Sequence, residues 1–298
     1  MTKPLLFSFG HGYSAQALAR RLLAQGWRVI GTTRSEDKAA AIRASGAEAL
    51  LWPGEDVAPA LAEATHVLLS AAPTEAGDPV LLAYGEALRA AAARLQWVGY
   101  LSTTGVYGDR GGGWVDEGDP CHPATRRGQW RLDAENAWLA LHREAGLPVH
   151  VFRLAGIYGP GRGPFAKLRN GTARRILKPN QVFSRIHVED IAAVLAASIA
   201  KPAPGTLYNV CDDEPAPPED VIAHAAGLLG VAVPPGEDFA SAEMPEMARS
   251  FYAESKRVSN ARIREALGVE LAYPDYRAGL AALLAEETAS ASGSSGGV

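Results

Sequence analysis

Cysteine is scarce: Cys121 and Cys211 are the only two in 298 residues. They cannot build a disulfide framework or a cysteine-rich zinc site, and a reducing, cytoplasmic setting suits the chain best. The seven histidines are scattered and never fall at metal-ligand spacing, so no metal is expected. Charge of one sign is also missing. Lys and Arg total 29 against 33 Asp and Glu, a net −4, which leaves no global basic field for nucleic acid. No run approaches the roughly 18 apolar residues of a membrane span. The opening MTKPLLFSFGHGYS lacks the apolar length and the small-residue cleavage site of an export signal. No internal repeat is visible.

What is present is a globular composition, 47% hydrophobic and 21% charged, long enough for one large domain or a domain with a smaller lobe. Apolar runs at Leu5–Phe9, Arg28–Gly31, His66–Ala71, Trp97–Ser102 and Val149–Leu154 read as short buried strands. Alanine-rich amphipathic segments such as SAQALARRLLAQG and VLLAYGEALRAAAARL lie between them. The alternation predicts an α/β fold with a doubly wound parallel sheet covered by helices on both faces. Beyond Gly159 the pattern loosens into a Gly/Pro/Arg loop, a helix over Glu189–Ala200 with Asp190 suited to its N-cap, and a strand over Leu207–Cys211. The expected organisation is a dinucleotide-binding domain over 1–160 and a mixed substrate lobe over 161–286 that returns segments to the main sheet. A disordered tail is expected over 287–298, where ETASASGSSGGV has no apolar periodicity.

Between the first strand and the first helix stands Gly10-His11-Gly12-Tyr13-Ser14-Ala15, a G-x-G-x-x-A loop. Gly10 permits a tight turn, Gly12 lets backbone approach a pyrophosphate, and Ala15 lets the helix close on the strand. The helix N-terminus, beginning at Tyr13 and Ser14, offers free N–H groups and partial positive charge to phosphates. A purely structural glycine turn is the alternative; the loop's place after the first strand of an alternating pattern favours a dinucleotide. At the end of the second strand stand Thr33 and Arg34, with Glu36 and Asp37 late for the acidic slot that would bind a ribose 2′-OH. NADP(H) is therefore the preferred cofactor, with NAD(H) as the alternative. Ser70, Ala71 and Ala72 end the fourth strand with small residues that leave room for it.

LSTTGVYG (101–108), RLAGIYGPGR (153–162), RIHVEDIA (185–192) and LYNVCDDEP (207–215) follow in order. With the glycine loop they resemble the extended short-chain dehydrogenase/reductase superfamily, including its NAD-dependent epimerase/dehydratase family. The resemblance covers about residues 4–215 and reaches the closing SNARIREALGVELAYPDYRAGL. It implies a Rossmann fold, a nicotinamide cofactor, and a Ser/Thr, a Tyr and a Lys that carry the chemistry. Thr103 matches the Ser/Thr that holds the reacting oxygen. In TRRGQWRLDAENAW (125–138) the Tyr position holds Arg127 and the Lys position Arg131.

Arginine stays protonated and cannot cycle between acid and base, but it can fork onto phosphate or carboxylate and stabilise developing charge. Three readings follow: an anion clamp; a proton supplied instead by Tyr107, Tyr158, His187 or His122; or a decayed site that only binds cofactor. A solvated basic turn is the bland account of Arg126, Arg127 and Arg131. The resemblance places YGPGRGPFAKLRNGTARR over an anionic small-molecule substrate, with Arg162, Arg185 and Tyr107 as its contacts. For Asn209 and Asp212 a turn role is expected. A homodimer through the helix around 128–142 is open, although Trp130 and Trp138, eight apart, read more as core.

Overall fold

The computed structural model describes residues 3–293, and its strands and helices alternate. β1 (Leu5–Phe9), α1 (Tyr13–Ala24), β2 (Arg28–Thr33), α2 (Glu36–Ala44), β3 (Glu48–Leu51), α3 (Ala58–Glu63), β4 (His66–Leu69), α4 (Pro79–Ala90) and β5 (Trp97–Thr103) come first. A 3-10 turn over Thr104–Tyr107, the two-residue β6 (Trp114–Val115) and the long α5 (Arg126–Ala145) precede β7 (Val149–Leu154). Then come β8 (Gly156–Tyr158), α6 (Phe165–Arg169), β9 (Arg175–Leu177), β10 (Arg185–His187), α7 (Val188–Ala200) and β11 (Leu207–Val210). α8 (Pro218–Leu229), β12 (Gly236–Asp238), α9 (Glu246–Phe251), β13 (Arg257–Val258), α10 (Ala261–Leu267) and α11 (Tyr276–Gly293) complete the described chain.

Seven strands form one parallel sheet in the order β11-β7-β5-β4-β1-β2-β3. β1, β4 and β7 are buried along their whole length, as strands covered by helices on both faces must be. The strand order reverses between β1 and β4, which opens a crevice at their carboxyl ends, the place where doubly wound sheets bind ligands. One face packs α1 and α7 into a core with Leu18, Leu22, Ile191 and Leu195, and α7 lies directly on α1. The other face packs Trp138 of α5 with Val80, Leu88 and Tyr100. A separate core of Tyr158, Phe165, Leu168, Ala225, Tyr276 and Leu280 belongs to the smaller lobe.

Two local expectations change. The N-cap of α7 is His187, whose Nδ1 accepts from Glu189 N at 3.3 Å. Asp190 is instead buried in the first turn and accepts from Ala272 N (2.8 Å) and Tyr273 N (3.0 Å), so it fastens the C-terminal segment. Residues 287–293, expected to be disordered, continue α11, and Arg169 donates to Glu287 at 2.6 Å. Residues 294–298 of that tail lie outside the described residues.

Candidate active site

The loop after β1 is shaped by what lies beside it. Gly10 has φ +73°, and a Cβ there would stand 2.9 Å from Ala71 N and 3.1 Å from Ser70 C. Only glycine lets the two loops of the crevice pass so closely. Gly10 N donates to Thr32 Oγ1 (2.9 Å) and His11 N to Thr32 O (2.8 Å), which pins the loop to β2. Gly12 caps α1 with no side chain, and a Cβ there would meet nothing nearer than Gly10 O at 3.7 Å. The first N–H groups of α1 are thus left uncapped beside open space, while Ser14 and Ala15 are buried against the sheet. These residues fit a dinucleotide's diphosphate, which needs backbone donors and an approach free of side chains. Ser70, half-buried Ala71 and exposed Ala72 form the opposite wall, just past the end of β4.

At the end of β2 Thr33 is half-buried and Arg34 exposed. Ser35 caps α2, and Glu36 pairs with Arg43 at 2.6 Å. Glu36 is therefore engaged inside α2, and Arg34 has no ion-pair partner among the described residues.

On the far side of the crevice, Thr103 ends β5 half-buried, its Oγ1 accepting from Gly105 N at 3.1 Å. It caps the 3-10 turn and keeps its hydroxyl proton for another acceptor. Thr125 caps α5 by accepting from Gly128 N at 3.0 Å, which sets Arg127 and Arg131 one turn apart. Arg131 is half-buried, donates to Leu101 O and lies 5.7 Å over the Tyr100 ring. Arg127 is exposed. So β5 and α5 bring Arg131 to the strand that carries Thr103, while Arg127 stays in solvent.

The four alternative proton carriers divide sharply. Tyr107 is buried, donates to Asn209 Oδ1 at 2.7 Å, and its hydroxyl is pushed by burial up to about 12. Tyr158 is buried, donates to Asp275 O at 3.3 Å, and is raised further by burial and by Asp212. His187 is buried, its Nδ1 holds α7, and burial lowers it to about 4. His122 is exposed, and its backbone packs on Gly108 in the turn that follows Thr103.

Two expected substrate contacts are corrected. Tyr107 is core, not surface: it lies under Arg153, whose guanidinium stands 4.8 Å over its ring. Arg185 donates to Phe183 O (2.8 Å) and Ala216 O (3.0 Å), so its charge ties backbone together instead of facing a ligand. Asn209 and Asp212 are not turn residues either. Asn209 is a buried acceptor on β11, and Asp212 is 1% exposed with neither carboxylate oxygen hydrogen-bonded among the described residues. Arg162, the third expected contact, is exposed, 4.4 Å over the Tyr13 ring.

Three features had escaped the sequence reading. Glu135 accepts from Ser102 Oγ and from Arg153 (3.2, 3.2 and 2.8 Å) in a fully buried network one turn beyond Arg131. The signal was there: Arg-Leu-Asp-Ala-Glu puts Glu135 four residues after Arg131, on the same helix face. His11, lowered to about 4 by burial, lies on Gly31, where a Cβ would stand 2.4 Å from its Cγ. A glycine amid the β-branched RVIGTT marks that close approach. Two surface depressions of about 630 and 370 Å³ contain none of these residues; they are lined by smaller-lobe segments around Thr172, Val233 and Lys178.

Residues 10–211 match the model of the NAD dependent epimerase/dehydratase family. Protein YeeZ of Escherichia coli (strain K12) is 31% identical over 280 residues, covering 89% of this chain and 95% of YeeZ. A 3-diazoavenalumate denitrifying reductase from Streptomyces sp is 34% identical over 179 residues, 56% of this chain and 55% of the reductase. The structure of a functionally unknown conserved protein from Silicibacter pomeroyi DSS superposes with a TM-score of 0.92 at 62% identity, over 95% of this chain and 99% of that one.

Proposed function

The chain belongs to the NAD dependent epimerase/dehydratase family, and we propose that it is an NADP(H)-dependent oxidoreductase or epimerase/dehydratase-like enzyme acting on a small or nucleotide-linked anionic substrate. The observation that carries the cofactor choice is Arg34, exposed at the end of β2 with Glu36 turned away onto Arg43. A free guanidinium there suits a 2′-phosphate, where a carboxylate would suit a 2′-OH. The similarity to a reductase in Streptomyces sp supports the oxidoreductase side of the reading.

The bound nicotinamide would supply or accept hydride. Thr103 then donates its free hydroxyl proton as a hydrogen bond to the reacting oxygen. Arg131, fixed by Leu101 O, adds fixed positive charge at the same strand end. Arg127, exposed at the mouth, attracts the anionic substrate and guides it inward. Neither arginine moves a proton, so the acid is His122 or a water that enters with the substrate.

Calorimetric titration of the cofactor-stripped protein with NADPH and with NADH tests this. Tighter NADPH binding that collapses to the NADH level in Arg34→Ala supports it; equal affinity in the wild-type protein, or a preference untouched by the substitution, removes the NADP assignment. A second reading follows from Arg127 standing in solvent where the family resemblance places its proton donor. On that reading the chain binds NADP(H) as a sensor and turns nothing over. Robust NADPH consumption with any carbonyl or sugar substrate disposes of it.

A further inference from the structure

The glycine loop offers a diphosphate only backbone. From Gly10 to Gln16 it carries no Lys or Arg, and its one basic residue, His11, is buried and neutral. A diphosphate brings two negative charges, and a helix N-terminus answers with about half of one positive charge. The next cation along α1, Arg20, is already paired with Glu189 at 2.6 Å. Arg162 is different. Its guanidinium lies 4.4 Å over the ring of Tyr13, the first residue of α1, and among the described residues it has no ion-pair or hydrogen-bond partner.

The contact is built, not incidental. Tyr13 Oη donates to Pro160 O at 2.9 Å, across 147 residues of sequence. The turn that carries Arg162 is closed by Gly159 N to Arg162 O (3.3 Å) and Arg162 N to Gly159 O (2.8 Å). Gly159 has φ +150°, and a Cβ there would stand 2.5 Å from Tyr13 Oη and 2.8 Å from Val188 Cγ1. The turn thus dispenses with a side chain at the one place where Tyr13 must enter. Stacking uses the face of the guanidinium and leaves its N–H edges free, the geometry in which arginine forks onto phosphate.

We propose that Arg162, seated on Tyr13, is a ligand for the cofactor's diphosphate and not for the substrate. The glycine loop and the Gly159–Arg162 turn then form the two jaws of one diphosphate site, joined by the Tyr13–Pro160 bond. This rests on the dinucleotide reading above, though not on the choice between NADPH and NADH, because both carry the same diphosphate.

The test is calorimetric binding to the full chain of NADPH, NADH and adenosine 2′-monophosphate, the last lacking a diphosphate. Arg162→Ala is expected to weaken both dinucleotides by about tenfold or more, as loss of a charge-assisted contact implies. Its affinity for adenosine 2′-monophosphate stays within about twofold of wild type. Arg162→Lys recovers part of the loss, and Tyr13→Leu, which removes the seat, moves dinucleotide affinity in the same direction as Arg162→Ala. Dinucleotide affinity within about twofold of wild type in Arg162→Ala overturns the proposal while leaving the cofactor reading intact. Equal losses for all three ligands also overturn it, since they mean a general disturbance of the crevice. A wild-type protein that binds neither dinucleotide sinks the cofactor reading itself, and this proposal with it.

Discussion

Glu135→Ala should be among the most destabilising single substitutions in the Rossmann domain. The Glu135 carboxylate is 1% exposed and the Arg153 side chain 5%, and three contacts of 2.8–3.2 Å join them. Removing the carboxylate leaves a guanidinium buried with the Tyr107 ring as its remaining counterpart, while its Nη1 already lacks an acceptor. Ser102 loses its acceptor as well. Breaking a buried pair from one side costs about 3–5 kcal/mol, because the surviving charge is left unsolvated. For a chain of this size that corresponds to a fall in unfolding midpoint of roughly 5–8 °C. Thermal unfolding followed by circular dichroism measures it. The control is Glu135→Met with Arg153→Met, which removes both charges at similar volume and should recover most of the loss. A single variant that loses under about 1 kcal/mol, or a double variant no better than the single, would refute the argument that an unpaired charge sets the cost.

Three further outcomes follow from steric fit and burial. Gly12→Ala should unfold within about 1 kcal/mol of wild type yet lose dinucleotide affinity, because its Cβ meets no protein atom closer than 3.7 Å and fills only the diphosphate's approach. Gly10→Ala should lose affinity and roughly 1–3 kcal/mol of stability together; equal melting of the two variants would show that the Ala71 contact is not what fixes Gly10. Asp212 is raised by burial to about 8 against an ordinary value near 3.8, so the native state holds its proton more tightly than the unfolded chain. Its contribution to stability is complete below about pH 4 and is lost as pH rises toward about 8, at up to about 1.4 kcal/mol per pH unit. Asp212→Asn should therefore gain on wild type between pH 5 and pH 8 in urea unfolding, and parallel pH profiles for the two proteins would remove Asp212 as the cause.

The sheet was legible because its strands are buried on both faces and read as unbroken apolar runs, as in LLFSF, HVLL and VHVFRL. β3 was not among the runs identified: it lies at the sheet edge, and its EALL keeps only Ala49 buried, so neither a continuous run nor a clean alternation marks it. Elsewhere β6 and β13 pair across more than a hundred residues with two residues each, too few to carry any period. The glycine loop between β1 and α1 was readable because G-x-G-x-x-A is a local backbone device. The polar residues were not, because their partners are remote: Tyr107 finds Asn209 and Asp190 finds the amides of Ala272 and Tyr273. A polar residue at a strand end reads as a turn until its buried partner is known. That is why Asn209 and Asp212 were misplaced and why Arg185, among so many surface arginines, was offered a ligand.

The chemistry is narrowed most by what the buried groups cannot do. A phenol at about 12 that already donates to Asn209, and an imidazole at about 4 that already accepts from Glu189 N, are poor acids and bases near neutrality for opposite reasons. The same burial that stabilises Tyr107 and His187 as packing removes both from proton transfer. Arg131, in contrast, is a fixed positive charge: it donates to Leu101 O, on the strand that ends in Thr103. On the proposed reading, a site with one fixed cation and no tuned acid lowers a barrier by stabilising an oxyanion while it forms, and leaves protonation to a group open to solvent. The proposed reaction then suits a substrate whose negative charge is tolerated for the length of hydride transfer, and leaves the proton to water or to His122, which is exposed and packed by its backbone on the turn after Thr103.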